Sequence, residues 1–161
     1  MSAPGAGVKA LHGAHEHPVL LDVNVLVALA WPNHIHHEAA VRWFEDNHES
    51  GWATAPPTQS GFVRVSSNHK VIPEARTPAE AILLLQELTS LPGHVFWTDD
   101  VAVTSSDHVA RERIVGYRQV TDAHLLALVV GNDGRLATFD AGVAELGPEH
   151  AEGAVVVLTA G

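Results

Sequence analysis

Three aspartates have the type and the setting to do chemistry: Asp22 in "LLDVNVLVAL", Asp122 in "VTDAHLLALVV" and Asp140 in "RLATFD". Each stands where an apolar run gives way to a turn or a helix start. Carboxylates brought within a few ångströms of one another repel, so such a group persists only if it is protonated or neutralised by a cation. All-oxygen ligands select a hard cation, Mg²⁺ or Mn²⁺. Such an ion activates water and stabilises the charge that builds on a phosphate during in-line attack, so the expected chemistry is phosphodiester hydrolysis. Each acid also has a plainer role open to it: Asp22 and Asp122 can cap helices, and Asp140 can start a turn.

The elements between the acids decide whether they meet. "VLLD" reads as a buried strand that hands over to the apolar helix "VNVLVALAW". "PNHIHHEAAVRWFEDNHES" follows as a helix, with Asn33 as its cap and Gly51 as its end. "WATA" is a strand, "PPTQSGFVRVSSN" a helix opened by the proline pair, and "TPAEAILLLQELTSLPG" a periodic helix. "HVFW" is a third strand, "TDAHLLALVVGNDG" a helix capped by Thr121, "RLATFD" a fourth strand and "AVVVLT" a fifth. Strands alternating with helices imply a parallel sheet joined by right-handed crossovers, because parallel neighbours cannot be linked by tight turns. The expected class is a three-layer α/β/α fold with about five parallel strands. Ligands of such sheets gather beyond the carboxyl ends of the strands, where strand order reverses. Asp22 and Asp140 end two strands and Asp122 opens a helix, so all three can face one crevice.

Composition narrows the class further. The chain has 161 residues, 46% of them hydrophobic and 17% charged, which suits one soluble globular domain over residues 18–161. Residues 1–17 are rich in Gly, Pro and Ala and are expected to be a disordered tail. No apolar run approaches the ~20 residues that span a bilayer, so no membrane role is expected. Cysteine is absent, which excludes disulfides and thiolate metal sites and agrees with a cytoplasmic location. Acidic residues outnumber basic ones 19 to 9, giving a formal net charge of -10, which argues against generic electrostatic binding of nucleic acid. Any nucleic-acid contact must use local basic groups or bound cations. Twelve histidines cluster partly as His12, His15 and His17 and as His34, His36 and His37; either group could hold zinc, but the plainer reading is a polar tail and a solvated first helical turn, with no cysteine to complete a closed site.

"LLDVNVLVALAWPNHIHHEAAVRWFEDN", "PPTQSGFVRVSSN" and "VTDAHLLALVVGNDGRLATFD" together resemble a PIN-domain ribonuclease, specifically the VapC toxin type of toxin-antitoxin systems. The resemblance runs from about Pro18 to the C-terminus. It implies that Asp22, Asp122 and Asp140 bind one or two Mg²⁺ or Mn²⁺ ions and cut RNA, that Asn24 supports the first acid, and that the first and fourth strands lie side by side. It also implies a VapB-type antitoxin partner and a homodimer, with an apolar groove near Trp31, Trp43 and Phe44 for these contacts. One position departs from the pattern: Gln59 stands where the family usually has a glutamate, and an amide contributes no charge to a metal.

Other residues take roles by position. Arg64, just over a turn beyond Gln59, is within reach of an acid cluster or a scissile phosphate. Arg111, Arg113 and Arg118 form the densest basic run, and Tyr117 beside Arg118 suits base stacking, so these four are candidates for the RNA path. Asp99 and Asp100 are expected in turns at the sheet edge. Two competing readings remain at this level. A haloacid-dehalogenase-like phosphatase also has an aspartate after its first strand, but needs a second aspartate two residues on, where this chain has Asn24. A PIN-like binding module without cleavage is the other, since Gln59 replaces the usual acid.

Overall fold

The computed structural model describes residues 18–148 and 151–159. The expected tail, residues 1–17 with His12, His15 and His17, lies outside the described residues. Five short strands, β1 (Val19–Leu21), β2 (Trp52–Thr54), β3 (His94–Phe96), β4 (Arg135–Thr138) and β5 (Val155–Val157), form one sheet in the order β3-β2-β1-β4-β5, parallel throughout. The chain builds outward from β1 to β3, then crosses back to lay β4 on the other side of β1, with Leu21 paired to Ala137. Strand order therefore reverses between β1 and β4, and their carboxyl ends flank the crevice.

Alternation along β1 assigns the layers. Leu21 packs with Val25, Leu26, Phe44, Phe62 and Leu85, while Leu20 packs on the other face with Trp97, Leu125, Leu128 and Val143. The first group comes from four helices, α1 (Val23–Ala30), α2 (His37–Asn47), α3 (Pro56–Ser66) and α4 (Pro78–Thr89). The second comes mainly from α5 (Val120–Gly131) and the 3-10 turn Ala141–Leu146. Three layers result, as the strand-helix rhythm requires. Leu20, Leu21 and Leu26 are fully buried, each side chain contributing about 1.5–3 kcal/mol relative to exposure. That burial makes β1 a fixed post for the acid that follows it. No helix among the described residues is long and apolar enough to cross a membrane.

Two helix starts differ from the sequence expectation. Asn33 does not cap α2; residues 32–36 form turns and the helix begins at His37, after His36. The His34 ring supplies a local acceptor in that turn, its Nδ1 taking the His36 N–H at 3.0 Å, and α2 starts with no side-chain cap. Thr121 does not cap α5 either, because the helix grows out of a 3-10 turn, Tyr117–Gln119, whose Tyr117 carbonyl already takes the Val120 N–H. Asp122 still falls in the first turn of α5.

One glycine sets the approach of helix to helix. A Cβ on Gly61 of α3 would stand 2.5 Å from Val23 Cγ2, at the first residue of α1. Any larger residue would push on the turn that carries Asp22.

Candidate active site

Asp22 follows β1 with extended backbone and caps α1 through its own side chain, Oδ1 accepting the Val23 N–H at 2.7 Å. Its second oxygen accepts the hydroxyl of Thr138, the last residue of β4, at 2.7 Å. Thr138 is itself fully buried. The same hydroxyl accepts Asn24 Nδ2 at 3.2 Å and the Asp140 N–H at 3.1 Å, so its donor and both lone pairs are used. Asn24 closes the circuit from its other end, Oδ1 accepting the Phe139 N–H at 3.3 Å. One threonine thus locks the ends of β1 and β4 together and sets the places of Asp22, Asn24 and Asp140. Asp140 in turn caps the 3-10 turn after β4, its Oδ1 accepting the Gly142 N–H at 2.9 Å. Capping and a place at the crevice coincide in both Asp22 and Asp140.

Asp22, Asn24, Asp122 and Asp140 line one cavity of about 400 Å³ at the β1/β4 crevice, and no Lys or Arg shares that lining among the described residues. The electrostatics follow from that lining. Burial pushes the Asp122 carboxyl up to about 6, helped by the charges of Asp22 and then Asp140. Asp22 is raised as well, chiefly by burial; its bonds from Thr138 and Val23 oppose that shift and the Asp140 charge adds to it. The three acids therefore feel one another with no Lys or Arg in the lining to offset them.

This donor set fits a hard divalent cation. Among the described residues no three His, Cys, Asp or Glu side chains, the three aspartates and the "HIHH" cluster included, stand together closely enough to hold a metal ion by themselves. Mg²⁺ asks for less: one or two carboxylates, with water and substrate phosphate completing its shell. A cavity with three carboxylates and open volume meets that demand.

The remaining candidates lie elsewhere. Gln59 is outside the cavity lining; its Nε2 donates to Thr54 Oγ1 at 3.0 Å, at the end of β2, and that hydroxyl also meets His94 Nε2 at 2.7 Å. Arg64 is exposed on α3 and does not line the cavity. Arg113 donates to the Gly147 carbonyl at 2.7 Å, tying the loop before α5 to the turn after β4, and Arg111 is exposed beside it. Arg118 donates to the Tyr117 hydroxyl at 3.2 Å and places its guanidinium 5.7 Å from the ring centre, an exposed cation-π pair leading into α5. Asp99 is more than a turn residue: His124 Nε2 meets its Oδ1 at 2.8 Å, pinning the first turns of α5 near Asp122. Trp31 and Phe44 are core residues, and Trp43 is half-buried against the same core.

Two residues at the crevice were not singled out by sequence reasoning. Thr138 carried a weak signal, as a hydroxyl two positions before the acid in an otherwise apolar strand. His34, which lines the cavity, was read as part of a histidine cluster, and its bond to the His36 amide gave no local signature.

Comparisons with known proteins show the family. A PIN-domain family model matches residues 19–147. Ribonuclease VapC39 of Mycobacterium tuberculosis is 52% identical over 126 residues, covering 78% of this chain and 91% of that protein. Ribonuclease VapC38 of the same organism is 51% identical over 140 residues, covering 87% and 97%, and ribonuclease VapC29 is 37% identical over 141 residues, covering 88% and 97%. The chain belongs to the PIN-domain family, in its VapC ribonuclease branch.

Proposed function

We propose that this VapC-family ribonuclease hydrolyses RNA phosphodiester bonds in the Asp22, Asp122 and Asp140 cavity, with Mg²⁺ or Mn²⁺ held by those carboxylates, and that it is the toxin of a toxin-antitoxin pair. The observation that carries the reading is the shared acid cavity: three carboxylates, from the ends of β1 and β4 and the first turn of α5, with no Lys or Arg in the lining among the described residues. A divalent cation bound there supplies positive charge for the phosphate and a more acidic water. Thr138 and the Val23 amide each hold one Asp22 oxygen, so that carboxylate is oriented before substrate arrives. Asp140 keeps one oxygen on Gly142, and its exposure leaves it open to solvent and substrate. Asn24 braces Thr138 and the Phe139 amide, and serves orientation rather than charge.

The basic groups fit the RNA path. Tyr117 and Arg118 stand exposed ahead of the helix that carries Asp122, where a base can stack on a ring or a guanidinium plane. Arg111 and Arg64 are exposed cations suited to phosphate, while Arg113 holds the loop in place. Gln59 is assigned to the Thr54 network rather than to the cation.

For the antitoxin, the groove between the end of α1 and α4 is the better candidate than Trp43 and Phe44. Its cavity of about 420 Å³ is lined by Trp31, Pro32, Leu83 and Leu84 together with the charged Arg76, Glu80 and Glu87, and Leu83 is 61% exposed, which suits an amphipathic helix. A homodimer and a cytoplasmic location complete the proposal. The test is incubation of the purified protein with total cellular RNA in Mn²⁺, Mg²⁺ or chelator, with cut sites mapped. Discrete cuts that require the cation are expected; intact RNA under every condition would leave a binding module.

A further inference from the structure

The acid cavity has a second wall that cation chemistry does not use. Val27, Val65, Val71 and Ile72 share its lining with the carboxylates, and Val71 is 58% exposed. A phosphate with its hydrated cation has no use for hydrocarbon and would leave this wall wet. The volume of about 400 Å³ falls in the range of small-molecule sites, about 300–1,000 Å³, which is room for a ring system beside a phosphate.

His34 stands in the same lining. Its Nδ1 accepts the His36 amide at 3.0 Å, which leaves the proton of the neutral ring on Nε2. His36 in turn stacks on Phe139, centroids 4.5 Å apart and planes 15° from parallel, and Phe139 directly precedes Asp140. The turn between α1 and α2 is thereby anchored to the end of β4, and it presents a flat ring and one N–H donor beside the apolar wall.

We propose that this wall, with His34 at its edge, seats one unstacked nucleobase of single-stranded RNA next to the phosphate that the acids cut. The inference rests on the nuclease reading above. Unpaired RNA exposes its bases, and proteins receive them on rings and apolar surface with a few hydrogen bonds to their edges. The same cavity holds both such a surface and the carboxylates. It therefore selects where the strand is cut by how well the flanking base fits, while Tyr117 and Arg118 hold the strand further along.

The test uses an RNA strand that the wild-type protein cuts at a mapped position, remade with an abasic ribose on each side of the cut in turn. For the wild type, one of the two abasic strands is expected to lower kcat/KM about tenfold. The variant His34→Ala/Val71→Ala should cut the intact strand about tenfold less well and show no further loss with that abasic strand. Val71→Ala alone, at an exposed position, should show a smaller loss in the same direction. Mn²⁺ affinity measured by calorimetry should be the same in all three proteins. Equal cleavage of the intact strand by wild type and double variant would overturn the base seat, as would an abasic penalty of the same size in both. Absence of any RNA cleavage by the wild type would overturn the nuclease reading itself, a result distinguishable from either of these.

Discussion

The ends of two neighbouring strand pairs are built on the same plan and do different things. At β1/β4 the buried hydroxyl of Thr138 serves Asp22, Asn24 and the Asp140 amide. At β2/β3 the buried hydroxyl of Thr54 serves Gln59 and His94. Both threonines satisfy their polar atoms and clamp a strand end to a following helix or turn. The second network is neutral: an amide, a hydroxyl and an imidazole whose pKa burial lowers. It closes on itself. The first ends in carboxylates, of which Asp22 is held above its usual range chiefly by burial, as is Asp122 across the same cavity, and it stays open to an outside cation. A strand-end clamp becomes a reaction site when its partners carry charge that the protein does not neutralise.

The largest expected effect breaks the charged network directly. Asp22→Asn should lower RNA cleavage by about 10³-fold or more while far-UV circular dichroism stays unchanged, since the amide is nearly isosteric and keeps a hydrogen-bonding oxygen. Retained cleavage would move the chemistry away from Asp22. Next come the two hubs. Thr138→Val and Thr54→Val should each cost about 1–3 kcal/mol in urea unfolding, because each leaves buried polar partners unpaired. Only Thr138→Val should also weaken Mn²⁺ binding, by about 10- to 100-fold, because only that hydroxyl orients a proposed ligand.

Much of this comparison was legible in the sequence, and the reasons are local. β1 and β4 were readable because "VLL" and "RLAT" are short apolar runs bounded by polar or glycine residues, and the acids because they follow those runs. Strand order came with the resemblance. Thr138 was not legible as a hub because its partner Asp22 lies 116 residues away. For Gln59 the position suggested the metal, whereas in the fold its amide donates to Thr54, five residues earlier. Helix starts failed at Asn33, where the His34 ring takes the His36 amide, and at Thr121, where the helix already runs on from a 3-10 turn.

Smaller effects sharpen the electrostatic half of the comparison. The Asp122 carboxyl rises from 3.8 to about 6 on folding, so the native state binds the extra proton between those values. Stability of the cation-free protein should therefore fall as pH rises from about 4 to 6, the sign opposite to that of a salt-bridged acid. Asp122→Asn removes that penalty; for a half-buried group the gain, discounted for solvent screening, is about 1 kcal/mol at neutral pH. The variant should melt higher than wild type in chelator at pH 7 and equal it near pH 4. Gln59→Glu should have the smallest effect, about 0.5–1 kcal/mol of destabilisation as Thr54 changes partners, with no gain in Mn²⁺ affinity because the side chain lies outside the acid cavity.

Calorimetric titration of Mn²⁺ at neutral pH into the wild type, Asp22→Asn and Thr54→Val tests the central claim most directly. Saturable binding in the wild type and in Thr54→Val, lost in Asp22→Asn, is the predicted result. Binding in Asp22→Asn as tight as in the wild type, or none in the wild type, would contradict it.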